Sequence, residues 1–328
     1  MSFIDNELES VRQSCSKEVQ GSEVISCFKA SVRINIRRTR YKQVVVCLQF
    51  SDQYPDTPIL LELKSKFLPD KLLDGLTKIC EEKLKEQKGK AQILFLLKFI
   101  RQFLEDNPFS VCSEELTYIK KHIVSEGDKI VTKSKAGVIV ITVNQDNYFM
   151  KLRFSIPDAY PSDPVTLENL NHNYPDIFQK MLMAQAQEMA RRCVEPPLKR
   201  KPRDPPFEPA PSLQKIANFL IRDGLRKLPT DPCQVCKERA FPKEPKNVVN
   251  NPEHGRHVEW VYCGHIFHNG CLDEYMKLPP FTGGKKCPGC KKRIYHDKWN
   301  ISPELAEARW AHHQAREREI DEVTDFLK

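Results

Sequence analysis

Several stretches of this chain alternate apolar and polar residues in the register of paired strands. In GVIVITVNQDNYFMKLRFSI (137–156) the alternation runs on both sides of a polar turn at Asn144 to Asn147, which predicts a hairpin. SVRINIRR and YKQVVVCLQF (31–50) are β-rich runs around a shorter polar turn and predict a second one. Elsewhere the apolar spacing changes to three and four. Leu72, Leu73, Leu76, Ile79 and Cys80 share one face of a helix that opens at Pro69-Asp70, where proline is tolerated in the first turn. Leu96, Leu97, Ile100 and Phe103 repeat that spacing between Ile93 and Leu104. Ser302-Pro303-Glu304 reads as cap, first-turn proline and early acid of a last helix running to Phe326. Its Leu305, Trp310, Ile320, Val323 and Phe326 are candidates for docking on another part of the chain or on a partner.

The pattern repeats. VVVCLQFSDQYPDTPILLEL (44–63) and YFMKLRFSIPDAYPSDPVTLENL (148–170) each place an apolar strand ending in Phe-Ser before a turn, a Tyr-Pro-x-x-Pro motif and an apolar segment. Tyr54, Pro55 and Pro58 recur as Tyr160, Pro161 and Pro164 at a constant offset of 106, which persists to Pro69-Asp70 and Pro175-Asp176. The prolines force an extended, non-helical crossing after the strand. FIRQFLEDNP (99–108) recurs as LIRDGLRKLP (220–229), where the offset has grown to 121 because the second copy holds a proline-rich insert. That insert (194–211) should be an extended linker or loop, with Leu213 to Leu228 folding back onto the second copy. Each copy reads as helix, strands, turn, strand, helix, helix.

This order of elements with its Tyr-Pro-x-x-Pro turn resembles the RWD domain, a relative of the ubiquitin-conjugating fold. The resemblance covers residues 1–108 and 109–229. An active conjugating enzyme also needs a His-Pro-Asn segment and a nucleophilic cysteine in a loop. Neither copy has that segment, and Cys80 sits on an apolar helical face with no readable base or cation to lower its pKa. His172, in NLNHNYPD, reads as a loop residue.

Charged residues make up 29% and hydrophobic ones 40% of the 328 residues, an ordinary globular balance with length for two or three domains. The longest apolar run, Gln92 to Ile100, is interrupted by Lys98 and falls short of the ~20 residues of a membrane span. MSFIDNELES lacks the basic start and apolar core of a secretory signal. The net charge of +8 is modest, and part of it sits in Lys199-Arg200-Lys201-Pro202-Arg203, read as a solvated linker without the interleaved aromatics of a nucleic-acid platform. Cys15, Cys27, Cys47, Cys80, Cys112 and Cys193 scatter as buried or incidental thiols, the usage of a reducing compartment.

The remaining cysteines cluster with histidines: Cys233, Cys236, Cys263, His265, His268, Cys271, Cys287 and Cys290. The order is C-x2-C, 26 residues, C-x-H-x2-H-x2-C, 15 residues, C-x2-C. A CxxC turn points two thiolates at one soft cation, and four such ligands close a tetrahedral structural site. Eight ligands make two closed sites for two structural zinc ions, with no position left open for a catalytic water. His254 and His257 stand outside the complete set and read as loop histidines.

This spacing resembles the RING finger with two central histidines, over 230–300. The resemblance implies interleaved sites: Cys233, Cys236, His268 and Cys271 on one ion, Cys263, His265, Cys287 and Cys290 on the other. It also implies that Val235, Tyr275 and Pro288 contact a ubiquitin-conjugating enzyme, with Phe267 in the core. Active ligases of the family often place an arginine after the last ligand, where this chain has Lys291, which keeps the charge but not the planar fork of donors.

The expected architecture is therefore α+β: two tandem RWD-like domains related to the ubiquitin-conjugating fold, then a small cross-brace zinc RING finger and a C-terminal helix at 301–328. It is similar to the RWD–RING ubiquitin ligases. That resemblance implies non-covalent transfer of ubiquitin from a charged conjugating enzyme, with substrate or adaptor selected by the RWD-like pair, in the nucleus or cytoplasm. The competing readings are a non-catalytic RING/RWD scaffold, favoured by Lys291, and a zinc-dependent nucleic-acid binder, motivated by the basic linker. The pattern favours neither nucleic acid nor membrane as a partner.

Overall fold

The computed structural model describes residues 2–197, 205–299 and 302–326. The basic stretch Lys199 to Arg203 lies outside them. The chain forms two compact units. The first comprises Met1–Val143, Lys151–Asn171 and Lys180–Ile221; the second comprises Asn144–Met150, His172–Gln179 and Arg222–Lys328.

In the first unit, α1 (Phe3–Glu18) starts on a capping box between Ser2 and Asp5. It lies against an antiparallel meander ordered β1 (Ser22–Cys27), β2 (Val32–Arg37), β3 (Gln43–Gln49) and β4 (Leu60–Lys64). Alternation decides the buried face: Val32, Ile34 and Ile36 of β2 and Val44, Val46 and Leu48 of β3 are all buried. Strand β1, outside the predicted hairpin, adds an edge whose register shifts between Val24 and Ser26. Helices α2 (Asp70–Lys85) and α3 (Ile93–Asp106) close the core through Leu73, Leu76, Cys80 and Leu84 and through Ile93, Leu96, Leu97, Ile100 and Leu104. Ile79 departs from expectation: it is 42% exposed, because Leu84 rather than Ile79 completes the face of α2.

The same order follows from α4 (Ser113–Tyr118): a meander of β5 (Lys129–Lys133), β6 (Val138–Gln145), β7 (Tyr148–Ser155) and β8 (Thr166–His172), then α5 (Asp176–Val194) and α6 (Leu213–Ala217). The hairpin tip at Asn144–Met150 belongs to the second unit. Two details tie the copies together. Tyr54-Pro55 and Tyr160-Pro161 are both cis. In each copy a glutamate on the first helix and the motif tyrosine together cap the last helix. Tyr54 donates to Glu7, and Glu7 Oε1 accepts the N–H groups of Gln92 and Ile93, each at 2.8 Å. Tyr160 donates to Glu115 at 2.6 Å, its oxygen accepts Ser212 N–H at 2.7 Å, and Glu115 Oε1 accepts Gln214 N–H at 3.0 Å. Neither Gln92 nor Ser212 caps its helix with its own side chain, so the pair supplies acceptors that the helix start would otherwise lack.

The helix starts Ile93 and Leu213 are 120 apart, whereas the matched sequences further on are 121 apart. The π-helical stretch Asn218–Leu225 inserts the extra residue. Between the copies, Lys42 is buried with its Nζ 2.7 Å from Asp158 Oδ1, and Arg38 bridges Asp158 and Glu105 at 2.9 Å each.

Candidate metal centre and its flanking surface

The second unit is built around two knuckles with the same backbone plan. Cys233 N–H donates to Glu238 O at 2.7 Å, and Lys237 N–H to Cys233 O at 2.9 Å; Cys287 N–H donates to Lys292 O at 2.7 Å, and Lys291 N–H to Cys287 O at 2.8 Å. Each knuckle closes with a bridge, Pro232 to Arg239 and Lys286 to Arg293. Lys237 and Lys291 hold matching left-handed conformations, φ 64° and 62°. The turn therefore aims two sulfurs inward while the chain reverses.

Between the knuckles, β9 (Val258–Trp260) pairs antiparallel with β10 (Ile266–His268), which feeds directly into α7 (Asn269–Lys277). The turn joining the strands holds Cys263 and His265, and β10 and α7 hold His268 and Cys271. The structure thus brings together Cys233, Cys236, His268 and Cys271 in one cluster and Cys263, His265, Cys287 and Cys290 in another, with the candidate ligand atoms of each within 4.8 Å of one another. The first ligand pair joins the third, and the second joins the fourth. His268 Nδ1 lies 3.4 Å from Cys236 Sγ and 3.8 Å from Cys271 Sγ, and His265 Nδ1 lies 3.5 Å from Cys263 Sγ. Nδ1 is therefore the nitrogen turned into each cluster.

Three thiols and one imidazole suit a soft, four-coordinate structural ion, and the two clusters are geometrically consistent with two such zinc sites. The electrostatics agree. Burial and the neighbouring thiols of their clusters push Cys263 and Cys271 up to about 12. Burial also raises Cys233, but hydrogen bonds from His268 and the knuckle amides outweigh it and bring the thiol down to about 6. Without a cation Cys263 and Cys271 are held as neutral thiols, and a cation among them would favour the thiolates that ligate it. Each set offers four donors, the number a structural zinc site takes, so a metal there would supply shape and charge balance.

His254 and His257 join neither cluster. Their loop covers the start of α7 instead: Asn269 N–H donates to His257 O at 2.7 Å and Gly270 N–H to Gly255 O at 2.9 Å. The rest of the long first loop carries an aromatic cluster that spacing alone did not reveal. Trp260 stacks on Phe178 at 5.5 Å, Phe178 meets Phe241 edge-on at 5.0 Å, and Tyr148 donates to Pro242 O at 2.8 Å.

Around the clusters, Phe267 is fully buried, while Val235, Tyr275 and Pro288 are half-buried and face outward in part. A methyl group placed on Gly289 would come within 2.5 Å of Gln234 Oε1 and 3.1 Å of His265 Nε2. The two knuckles therefore abut, Gln234 preceding Val235 and Gly289 following Pro288. Tyr275 donates to Lys286 O at 2.7 Å, and the buried Lys285 ammonium lies 4.3 Å from its ring centre. Lys291 is exposed.

Cys80, by contrast, is buried and pushed up to about 12 by that burial and by Glu81, which makes it an inert core thiol. His172 is held by Tyr174 O at 2.9 Å. Along the last helix, α8 (Pro303–Phe326), Ala306 is buried and Leu305, Ile320 and Val323 are exposed.

Compared with known families, residues 4–104 match the RWD domain and residues 233–290 match the zinc finger of C3HC4 type, the RING finger. The chain departs from C3HC4 in one ligand, with His268 at the fifth position. No curated protein matches the chain. An RWD domain and a RING finger with two candidate zinc sites in one chain is an architecture typical of RING-type ubiquitin ligases. No helix among the described residues is long and apolar enough to cross a membrane.

Proposed function

We propose that this protein is a RING-type ubiquitin ligase. It docks a ubiquitin-charged conjugating enzyme on Val235, Tyr275 and Pro288 and promotes direct transfer of ubiquitin to a substrate held by two RWD-like domains, the second spanning 109–229. The observation that carries the reading is the pairing of the two Cys/His clusters on abutting knuckles. In this reading the half-exposed Val235, Tyr275 and Pro288 form the docking surface, and ubiquitin passes directly from the conjugating enzyme to the substrate. Zinc, held by the two four-residue sets, keeps this surface in shape. Val235 and Pro288 supply apolar contacts, and Tyr275, tied to Lys286 O, is held at the rim. A docked thioester kept in one reactive pose loses rotational freedom that transfer would otherwise cost. Lys291 adds a charged contact beside it.

The repeated glutamate–tyrosine cap supports a second RWD-like copy, the arm to which substrate or adaptor binding is assigned. Autoubiquitination by the zinc-loaded full chain with a panel of conjugating enzymes tests the reading; no activity with any of them overturns it. The scaffold reading draws on Lys291 standing where an arginine would engage ubiquitin. It predicts that Val235→Ala leaves cellular function intact.

A further inference from the structure

The two knuckles share a backbone plan but differ in charge. The first is Cys233-Gln234-Val235-Cys236-Lys237-Glu238-Arg239, the second Cys287-Pro288-Gly289-Cys290-Lys291-Lys292-Arg293. In the first, Glu238 and Arg239 are used internally, while Lys237 is exposed with no ion-pair partner among the described residues. Glu238 pairs with Arg256 at 2.7 Å, and Arg239 pairs with Asp146 at 2.7 Å while also donating to Pro229 O. In the second, lysine replaces the glutamate, and Lys286, Lys291, Lys292 and Arg293 are all exposed, with no ion-pair partner among the described residues. Arg293 lies over the Tyr295 ring at 5.2 Å and along Gly284, not against a carboxylate. From Tyr275 to His296 the sequence contains no aspartate or glutamate. The same backbone plan thus carries one open cation, Lys237, in the first knuckle and three, with Lys286 flanking them as a fourth, at the second, so the knuckle fold does not require the larger set.

We propose that the second knuckle is an electrostatic docking rim that selects conjugating enzymes whose RING-facing surface is acidic. This rests on the ligase reading above. Pro288 lies inside the knuckle, so a partner seated on it comes within a Debye length, about 8 Å at physiological salt, of the flanking cations. Unpaired rim charges act on partner choice and association rate more than on final affinity. A nucleic acid is the poorer fit. Four cations on one turn fall short of the ~6–10 phosphate contacts of strong binders.

The test measures binding of the zinc-loaded full chain to conjugating enzymes with acidic and with basic docking faces, at low and high salt. Wild type is compared with K286E/K292E, zinc content being checked in both. The proposal expects preference for the acidic-faced enzymes, a fall of about 10-fold or more in association rate on charge reversal at low salt, and a smaller fall at high salt. Reversing the facing carboxylates to lysine should restore binding of the variant. Binding that is lost in Val235→Ala but indifferent to salt and to charge reversal overturns this proposal alone. No binding by any enzyme overturns it together with the ligase reading. Should K286E/K292E fail to retain two zinc ions, salt dependence of the wild type decides: a flat response overturns the proposal. Salt-sensitive binding of DNA or RNA that is abolished by K286E/K292E, with conjugating-enzyme binding unchanged, reassigns the rim and also overturns it.

Discussion

Tyr160 donates its phenolic hydrogen to Glu115 across 2.6 Å, and the pair then takes up the N–H groups of Ser212, Leu213 and Gln214. Tyr54 and Glu7 do the same for Gln92 and Ile93. Removing the Tyr160 phenol leaves the Ser212 and Leu213 N–H groups short of an acceptor in a buried setting, whereas without the Tyr54 phenol Gln92 and Ile93 keep Glu7 Oε1 and Glu7 Oε2 loses its donor. Tyr160→Phe is expected to lower stability by about 1–3 kcal/mol, read as a fall in the urea midpoint at unchanged slope. Tyr54→Phe should lower stability by less, because Glu7 Oε1 still accepts the Gln92 and Ile93 N–H groups. Two variants that unfold at the wild-type midpoint would remove the shared cap from the account.

The ion pair of Lys42 with Asp158 makes a pH prediction. Burial raises the Asp158 carboxyl, but Lys42 and Arg38 outweigh it and hold it below the usual carboxylate range. A depressed carboxyl contributes stability that is complete above its unfolded value, near 3.9, and is lost as pH falls through the folded value. Asp158→Asn should therefore be less stable than wild type at neutral pH, and the gap should close below about pH 4. Thermal melts across that range read it; a gap constant with pH would contradict the assignment.

The hairpins, the helices and the ligand spacing were legible in sequence because each is a local pattern: alternation, a three–four period, or a knuckle with fixed spacing. The Tyr-Pro-x-x-Pro motif was legible because it occurs twice. Glu7 and Glu115 were not, since each is a single carboxylate on a helix, and only its partner more than forty residues away gives it meaning. A repeat search extended to the helices, aligning Glu7 with Glu115, would have found them. The Trp260–Phe178 stack joins residues far apart in sequence and leaves no periodic trace. Ile79 was misplaced because period alone cannot say which edge of an apolar stripe faces solvent.

Metal content tests the two clusters. The full chain should bind two zinc ions. Chelation should unfold the second unit, since structural zinc supplies on the order of 10 kcal/mol of folding free energy. Cys263→Ala should lose the ion of its own cluster. Full retention of both ions in Cys263→Ala, by elemental analysis of purified protein, would contradict the grouping.

The central claim is that zinc ligands hold the shape and half-exposed residues do the docking. Autoubiquitination with a panel of conjugating enzymes, comparing wild type, Val235→Ala and Cys263→Ala with zinc content measured in parallel, tests it most directly. The account predicts activity in the wild type, loss of activity in Val235→Ala with both zinc ions kept, and loss of both activity and one ion in Cys263→Ala. Full activity in a Val235→Ala protein that carries both ions would contradict it.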